Sequence, residues 1–264
     1  MVIRITHAKK VLAMFKKDGF LGLSEYCIGY MRGIGYGTSS IKSEIDSVST
    51  FLDPDAVKVC IDVGGNVGNY TAGLKKEFPN STIYTFEPSA TNITKLDARY
   101  KDDPNVSIIP NGLSDESCIA ELYSNEPGSA LGSLVKRDLS HLGIDFDSHQ
   151  SVKLIRFESF WKETLKSCHI DVLKFDIEGH ELRALVGCGD ALDNVNIIQF
   201  EFGGCNVDTR TFLKDFWVLL TSRGFKLYRV TPFGVKPVNE YRERDEHFLT
   251  SNYIAVNKKF MKAD

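Results

Sequence analysis

The run Val59-Cys60-Ile61-Asp62-Val63-Gly64-Gly65-Asn66-Val67-Gly68 decides the fold. An apolar stretch over Val57 to Val63 has the character of a buried strand, and the residues from Gly68 to Phe78 have the character of a helix closed by Pro79-Asn80. Glycines at such a strand-to-helix turn let the backbone come close to a ligand, and they aim helix N–H groups at it. The spacing Gly64, Gly65, Gly68 does not give the G-x-G-x-x-G of a dinucleotide fold. No Lys-Ser/Thr pair follows, so the turn is not a P-loop. Its distinguishing feature is Asp62, a carboxylate two residues before the first glycine. At the end of a strand facing the ligand crevice, a carboxylate suits a cationic ligand group and repels a pyrophosphate.

Outward from this turn, the next strand runs from Ser81 to Glu87 and the next helix from Ser89 to Tyr100. Glu87 follows Gly68 by nineteen residues, the position of a ribose-diol reader in nucleoside-binding sheets. Asp62 and Glu87 together specify a nucleoside that carries positive charge. A third strand is expected at Val106 to Pro110. Ile119 to Ser124 and Val152 to Phe157 read as further strands, separated by a Gly-, Ser- and Asp-rich loop over residues 125–150 of the kind that covers binding sites. The rhythm resumes with strands at Ile170 to Asp176, Val195 to Phe202, Phe225 to Val230 and Phe248 to Val256. Helices lie between them at Glu181 to Val186 and Thr211 to Ser222, and residues 231–247 read as a polar loop. Alternating strands and helices imply a parallel sheet with right-handed crossovers.

Four segments together resemble the FkbM family of S-adenosylmethionine-dependent methyltransferases: Asp62 to Gly68, Phe86-Glu87-Pro88, Asn111 to Asp115, and Leu173-Lys174-Phe175-Asp176-Ile177-Glu178-Gly179-His180-Glu181. The resemblance covers residues 44–257. It implies a class I methyltransferase fold, a Rossmann-like doubly wound α/β sheet of order 3-2-1-4-5-7-6 with the last strand antiparallel. S-adenosylmethionine, a nucleoside with a sulfonium and an ammonium, has the ligand character deduced above, and Asp62 is then expected to meet the ammonium. The resemblance places Gly64, Gly65, Asn66 and Gly68 along the methionine tail, Glu87 on the ribose, and Asn111 and Gly112 beside the adenine. Gly65 stands where the family commonly has Ala, and His180 where a small apolar residue is usual. The implied reaction is O-methylation, commonly of sugar or polyketide hydroxyls.

Ligands of open sheets bind at the carboxyl ends of the strands. The fourth strand of the sheet ends on Asp176, with Glu178 and His180 just beyond, and Glu201 ends the fifth. A carboxylate beside the acceptor can take the hydroxyl proton, so Asp176 is the first candidate for that role and Glu178 the second. Asp176, Glu178, His180 and Glu201 also form a donor set for magnesium or calcium, although their spacing does not diagnose a metal. Glu178 and Glu181 also suit the start of the following helix, where they complement its dipole.

Composition bounds the partners. A net charge of −3 disfavours a generally basic nucleic-acid binder and fits a neutral carbohydrate or glycoconjugate acceptor. Six cysteines without a C-x-x-C pair read as buried thiols of a reducing compartment, and the expected location is cytoplasmic. Residues 57–264 read as one methyltransferase domain. Residues 1–56 read as a partly helical N-terminal extension or cap. Its first twenty residues carry Arg4, Lys9, Lys10, Lys16 and Lys17 against Asp18 alone, so a solvated helix or weak contact with an anionic membrane surface is expected there.

Overall fold

The computed structural model describes residues 19–37 and 40–261. The basic positions Arg4 to Lys17, and the membrane contact expected of them, lie outside the described residues. The chain opens with helical residues 19–31 (α1) and continues with α2 (Ile41–Ser49), β1 (Val59–Val63), α3 (Asn69–Glu77), β2 (Thr82–Phe86), α4 (Ala90–Tyr100) and β3 (Val106–Ile109). A central part follows, with β4 (Gly112–Leu113), β5 (Cys118–Ser124), β6 (Ser148–Ile155) and α5 (Phe157–Glu163). The last part holds β7 (Ile170–Phe175), α6 (Glu181–Gly187), β8 (Val195–Phe202), α7 (Cys205–Thr209), α8 (Leu213–Ser222), β9 (Phe225–Thr231), β10 (Gly234–Val238) and β11 (Ser251–Asn257). Among the described residues no helix is long and apolar enough to cross a membrane.

The main sheet has the order β3-β2-β1-β7-β8-β11-β9-β10. Strands β3, β2, β1, β7 and β8 are mutually parallel, and β11 runs antiparallel to both β8 and β9. This is the expected 3-2-1-4-5-7-6 order with one addition at the edge. The stretch 231–247, expected to be a polar loop, contains β10, which pairs antiparallel with β9 from Gly234 to Val238. Its side chains are largely solvated and Pro237 lies within it, which an edge strand tolerates and an apolar pattern does not reveal. A second sheet, β4-β6-β5, stands apart from the main one.

Strand alternation sends successive residues to opposite faces, and each face carries its own core. Ile61, Val63, Leu173, Phe175, Ile198 and Phe200 pack with Phe157 and Trp161 of α5, Leu185 of α6 and Phe216 of α8. Cys60, Val172 and Ile197 pack on the other face with Leu74 of α3 and Leu96 of α4. Ile45 and Val48 of α2 are buried in that second core, so this part of the N-terminal extension is built into the sheet's covering layer. All six cysteines are free thiols; Cys60, Cys188 and Cys205 are buried, Cys118 and Cys168 are partly covered, and Cys27 is exposed.

Candidate active site

A cavity of about 450 Å³ lies at the carboxyl ends of β1, β2, β7 and β8. Gly64, Asn66, Glu87 and Asn92 line it, and so do Asp176, Glu178 and Glu201. Residues 128–132, Leu134 and Arg137 add a wall from the long loop between β5 and β6.

The turn after β1 explains two of its glycines. Gly64 has a φ of +86°, and a Cβ there would lie 1.9 Å from the Asp176 carbonyl oxygen. Only glycine lets the ends of β1 and β7 come this close. At Gly65 a Cβ would lie 2.1 Å from Thr85 Cγ2, which accounts for glycine where the resembling family commonly has alanine. Gly65 and Gly68 shape the turn without lining the cavity.

Beyond the turn, Asn66 N–H donates to Glu87 Oε2 at 2.8 Å and Ser89 N–H to Glu87 Oε1 at 2.9 Å. Both carboxylate oxygens are thereby fixed, and the Asn92 side chain adds a third hydrogen bond to the carboxyl. Burial raises the Glu87 carboxyl above its ordinary pKa against the pull of these N–H groups. Asn92, in the first turn of α4, is only 2% exposed and its Oδ1 has no hydrogen-bond partner. A buried acceptor left alone costs free energy that a ligand hydroxyl or amine would recover. Glu87 and Asn92 therefore fit the hydroxyl-rich end of a nucleoside. Gly112 lines the same cavity, whereas Asn111 does not. Replacing Glu87 with Ala should weaken binding of S-adenosylhomocysteine, the demethylated product, about tenfold to a hundredfold. Calorimetry checks this, and an unchanged affinity would remove the ribose role.

Asp62 is placed differently from the sequence expectation. Its side chain is fully buried and does not line the cavity. Thr71 Oγ1 donates to Asp62 Oδ2 at 2.7 Å, and Lys174 Nζ lies 3.2 Å from Oδ1. The sheet register sets Thr85, Asp62, Lys174 and Gln199 side by side on one face, beneath α3. Burial alone would lower the Lys174 pKa, but Asp62, Asp176 and Glu44 outweigh it and hold the ammonium charged. Tyr70 OH donates to Gln199 Oε1 at 2.6 Å, and Gln199 Nε2 donates to Glu44 Oε2 at 2.9 Å. Glu44 comes from α2 and lines the cavity, which the sequence reading missed.

Past the end of β7, Asp176 stands 3.5 Å from Lys174 Nζ, and its side chain is 42% exposed, so a ligand can reach it. Glu178 adopts a left-handed φ of +53° that turns its carboxylate back towards the loop. There Arg137 Nη1 donates to it at 3.1 Å and Cys205 Sγ at 2.7 Å. Arg137 also bonds Asp208 at 2.8 Å, tying the long loop to α7. Burial raises the Glu178 carboxyl against both donors. Glu201 is pushed well above the usual carboxylate range by burial, then by the carboxylates of Asp176, Glu178, Glu181 and Glu44. One oxygen from each of Asp176, Glu178 and Glu201 lies within 4.8 Å of the others, an arrangement that a proton on Glu201 or a hard cation would relieve.

His180 does not join this group. Its Nε2 lies 2.9 Å from Ser114 Oγ, the ring is buried, and it does not line the cavity. Position 180 precedes α6, and its side chain packs against β4 and the residues after it rather than the reacting end. Glu181 likewise turns inward, accepting from the N–H groups of Ile177 at 2.8 Å and Gly179 at 3.0 Å. Burial and the nearby Arg183 push His180 down to about 4 from an ordinary 6.5. The unfolded chain therefore binds a proton that the folded chain refuses, and His180 subtracts stability as pH falls from about 6.5 towards about 4. The stability gap between wild type and His180→Gln should accordingly narrow between about pH 7 and about pH 5 in urea unfolding. The variant should bind S-adenosylhomocysteine as wild type does.

Comparison with known proteins agrees with this architecture. The family described as Methyltransferase FkbM domain matches residues 62–227, a span that includes Asp62, the glycine turn, Glu87 and the carboxylates of β7 and β8. This chain belongs to the FkbM methyltransferase family. "Methyltransferase 1" of Beauveria bassiana is 28% identical over 198 residues, covering 67% of this chain and 76% of that protein. An FkbM methyltransferase of Methylobacillus flagellatus has 15% identity and a TM-score of 0.49; the match covers 81% of this chain but only 47% of that one. A Streptococcus mutans methyltransferase solved with SAH has 13% identity and a TM-score of 0.46, over 82% of this chain and 96% of its own. Membership of this family makes the chain a methyltransferase that uses S-adenosylmethionine.

Proposed function

We propose that this FkbM methyltransferase acts on a hydroxyl of a sugar, glycan or glycoconjugate, with residues 57–264 as the catalytic domain. The observation that carries this reading is the cluster of carboxyls that lines the cavity, formed by Asp176, Glu178 and Glu201. Carboxyl groups accept hydrogen bonds from hydroxyls, and their charge opposes a phosphate-rich acceptor. Arg137 is a cation in the cavity wall, but Glu178 and Asp208 already engage it.

S-adenosylmethionine supplies an electrophilic methyl group when bound. Asp176 is the group best placed to take the proton of the attacking hydroxyl, because it lines the cavity and its carboxylate is half open to it. With the cofactor bound, its methyl group would go to the acceptor oxygen, and Asp176 would take the proton that the hydroxyl gives up. Glu178 is held by Arg137 and Cys205, so it orients the acceptor more readily than it moves a proton. Burial and its acidic neighbours push the Glu201 carboxyl well above the usual range, which makes it a poorer base than an ordinary carboxylate.

The test is incubation of the protein with isotopically labelled S-adenosylmethionine and separated carbohydrate, small-amine, protein and RNA fractions. Label on a carbohydrate hydroxyl, located by mass spectrometry, is the expected result. Label only on nitrogen, protein or RNA would replace this reading.

A further inference from the structure

The polar row under the sheet does not stop at the core. Glu44 of α2 ends it and lines the cavity. One of its oxygens, Oε2, accepts from Gln199 Nε2, and among the described residues Oε1 has no hydrogen-bond partner. The geometry is rigid on the protein side. Tyr70 holds Gln199, Ser40 Oγ accepts from Ser43 N–H to cap α2, and Ile45 and Val48 anchor that helix in the core.

The order of strands says what would lie against Glu44. Glu87, the carboxylate proposed for the ribose, follows β2, the glycine turn follows β1, and β7 and β8 come next. A nucleoside with its ribose at Glu87 and its base beside Gly112 would extend its 5′ substituent across the β1 turn towards β7. In S-adenosylmethionine that substituent is an amino-acid tail with an ammonium group. Asp62, the sequence candidate for this ammonium, is buried beneath Thr71 and Lys174. Glu44 offers the cavity a carboxylate with a free oxygen in the same region of the sheet.

We propose that Glu44, delivered by the N-terminal segment, receives the ammonium of the cofactor's amino-acid tail. The chain is then cofactor-competent only with α2 in place, and the N-terminal segment is part of the binding site. This inference rests on the cofactor and is independent of which acceptor is methylated.

A charge-dependent signature follows. Glu44 faces Asp176 and Lys174 of β7, Asp62 of β1, Gln199 and Glu201 of β8, and Tyr70 of α3. Burial and then Asp176 push its carboxyl up to about 7, against Lys174 and Gln199. An arriving ammonium favours the ionised form, so binding below neutral pH should release a proton from Glu44.

Calorimetry with two probes tests this: S-adenosylhomocysteine, which keeps the tail, and 5′-methylthioadenosine, which lacks it. The Glu44→Gln protein keeps an acceptor oxygen for Gln199. It should bind S-adenosylhomocysteine about tenfold more weakly and methylthioadenosine unchanged. Titrations in two buffers of different ionisation enthalpy should show proton release with S-adenosylhomocysteine in wild type and none in the variant. Equal weakening of both ligands would make Glu44 merely structural and overturn the proposal. Unchanged S-adenosylhomocysteine affinity with reduced turnover would overturn it in favour of an acceptor contact. A wild-type chain that bound neither ligand would overturn it together with the cofactor reading. A failed search for a methylated carbohydrate would leave it standing.

Discussion

The Asp176→Asn protein should transfer methyl groups about 10²- to 10⁴-fold more slowly than wild type while binding S-adenosylhomocysteine within a few-fold of it. Asparagine keeps the size and one acceptor oxygen of the aspartate, so the acceptor still docks. What the variant loses, on the proposed mechanism, is the group that takes the hydroxyl proton. Asp176 is the natural choice among the three clustered carboxyls. Glu178 is already engaged by Arg137 and Cys205, and burial and its acidic neighbours push the Glu201 carboxyl well above the usual carboxylate range. Glu178→Gln should therefore cost less turnover than Asp176→Asn. Single-turnover rates on the labelled acceptor, compared with calorimetric affinities, separate the two contributions. A variant that keeps its turnover and loses cofactor affinity would reassign Asp176 to the cofactor.

Strand order was legible because each strand of the main sheet's first half is an apolar run bounded by turn residues. The motifs at Gly64, Glu87, Asp176 and Glu201 sit where open sheets bind ligands. Which face a residue takes was harder to read. Asp62 and Asp176 are each acidic residues near a strand end, yet one lies within β1 and the other one step past β7. The first is trapped under α3, and the second emerges into the cavity. A row of single polar residues in Ile-Asp-Val, Leu-Lys-Phe and Ile-Gln-Phe was the available signal that these three side chains share a face. Their register made it a buried network. Glu44 and Arg137 had no comparable signal, since each reaches the site from a segment distant in sequence and without strand periodicity. His180 looked available because it follows a catalytic-looking run, but the turn at Glu178 and Gly179, both with positive φ, redirects the chain and buries the ring.

Lys174 should prove more important to folding than any other charged residue of the site. Its side chain is 3% exposed and Asp62 beside it is 0% exposed, so neither charge has water to fall back on. The Lys174→Met substitution leaves Asp62 charged, buried and held only by Thr71, and removes the nearest counter-charge from Asp176 and Glu44 as well. Breaking a buried pair from one side costs about 3–5 kcal/mol, which is a large part of a domain's total stability. Urea unfolding should show that loss as a lower midpoint at unchanged slope. The double variant Asp62→Asn/Lys174→Met should recover much of the loss, because the remaining amide is neutral and can still bond Thr71. If Lys174→Met alone cost less than about 1 kcal/mol, the pair would have to be hydrated or protonated rather than ionic, and the row beneath the sheet would not be the charged scaffold that holds Glu44 and Asp176 at the cavity.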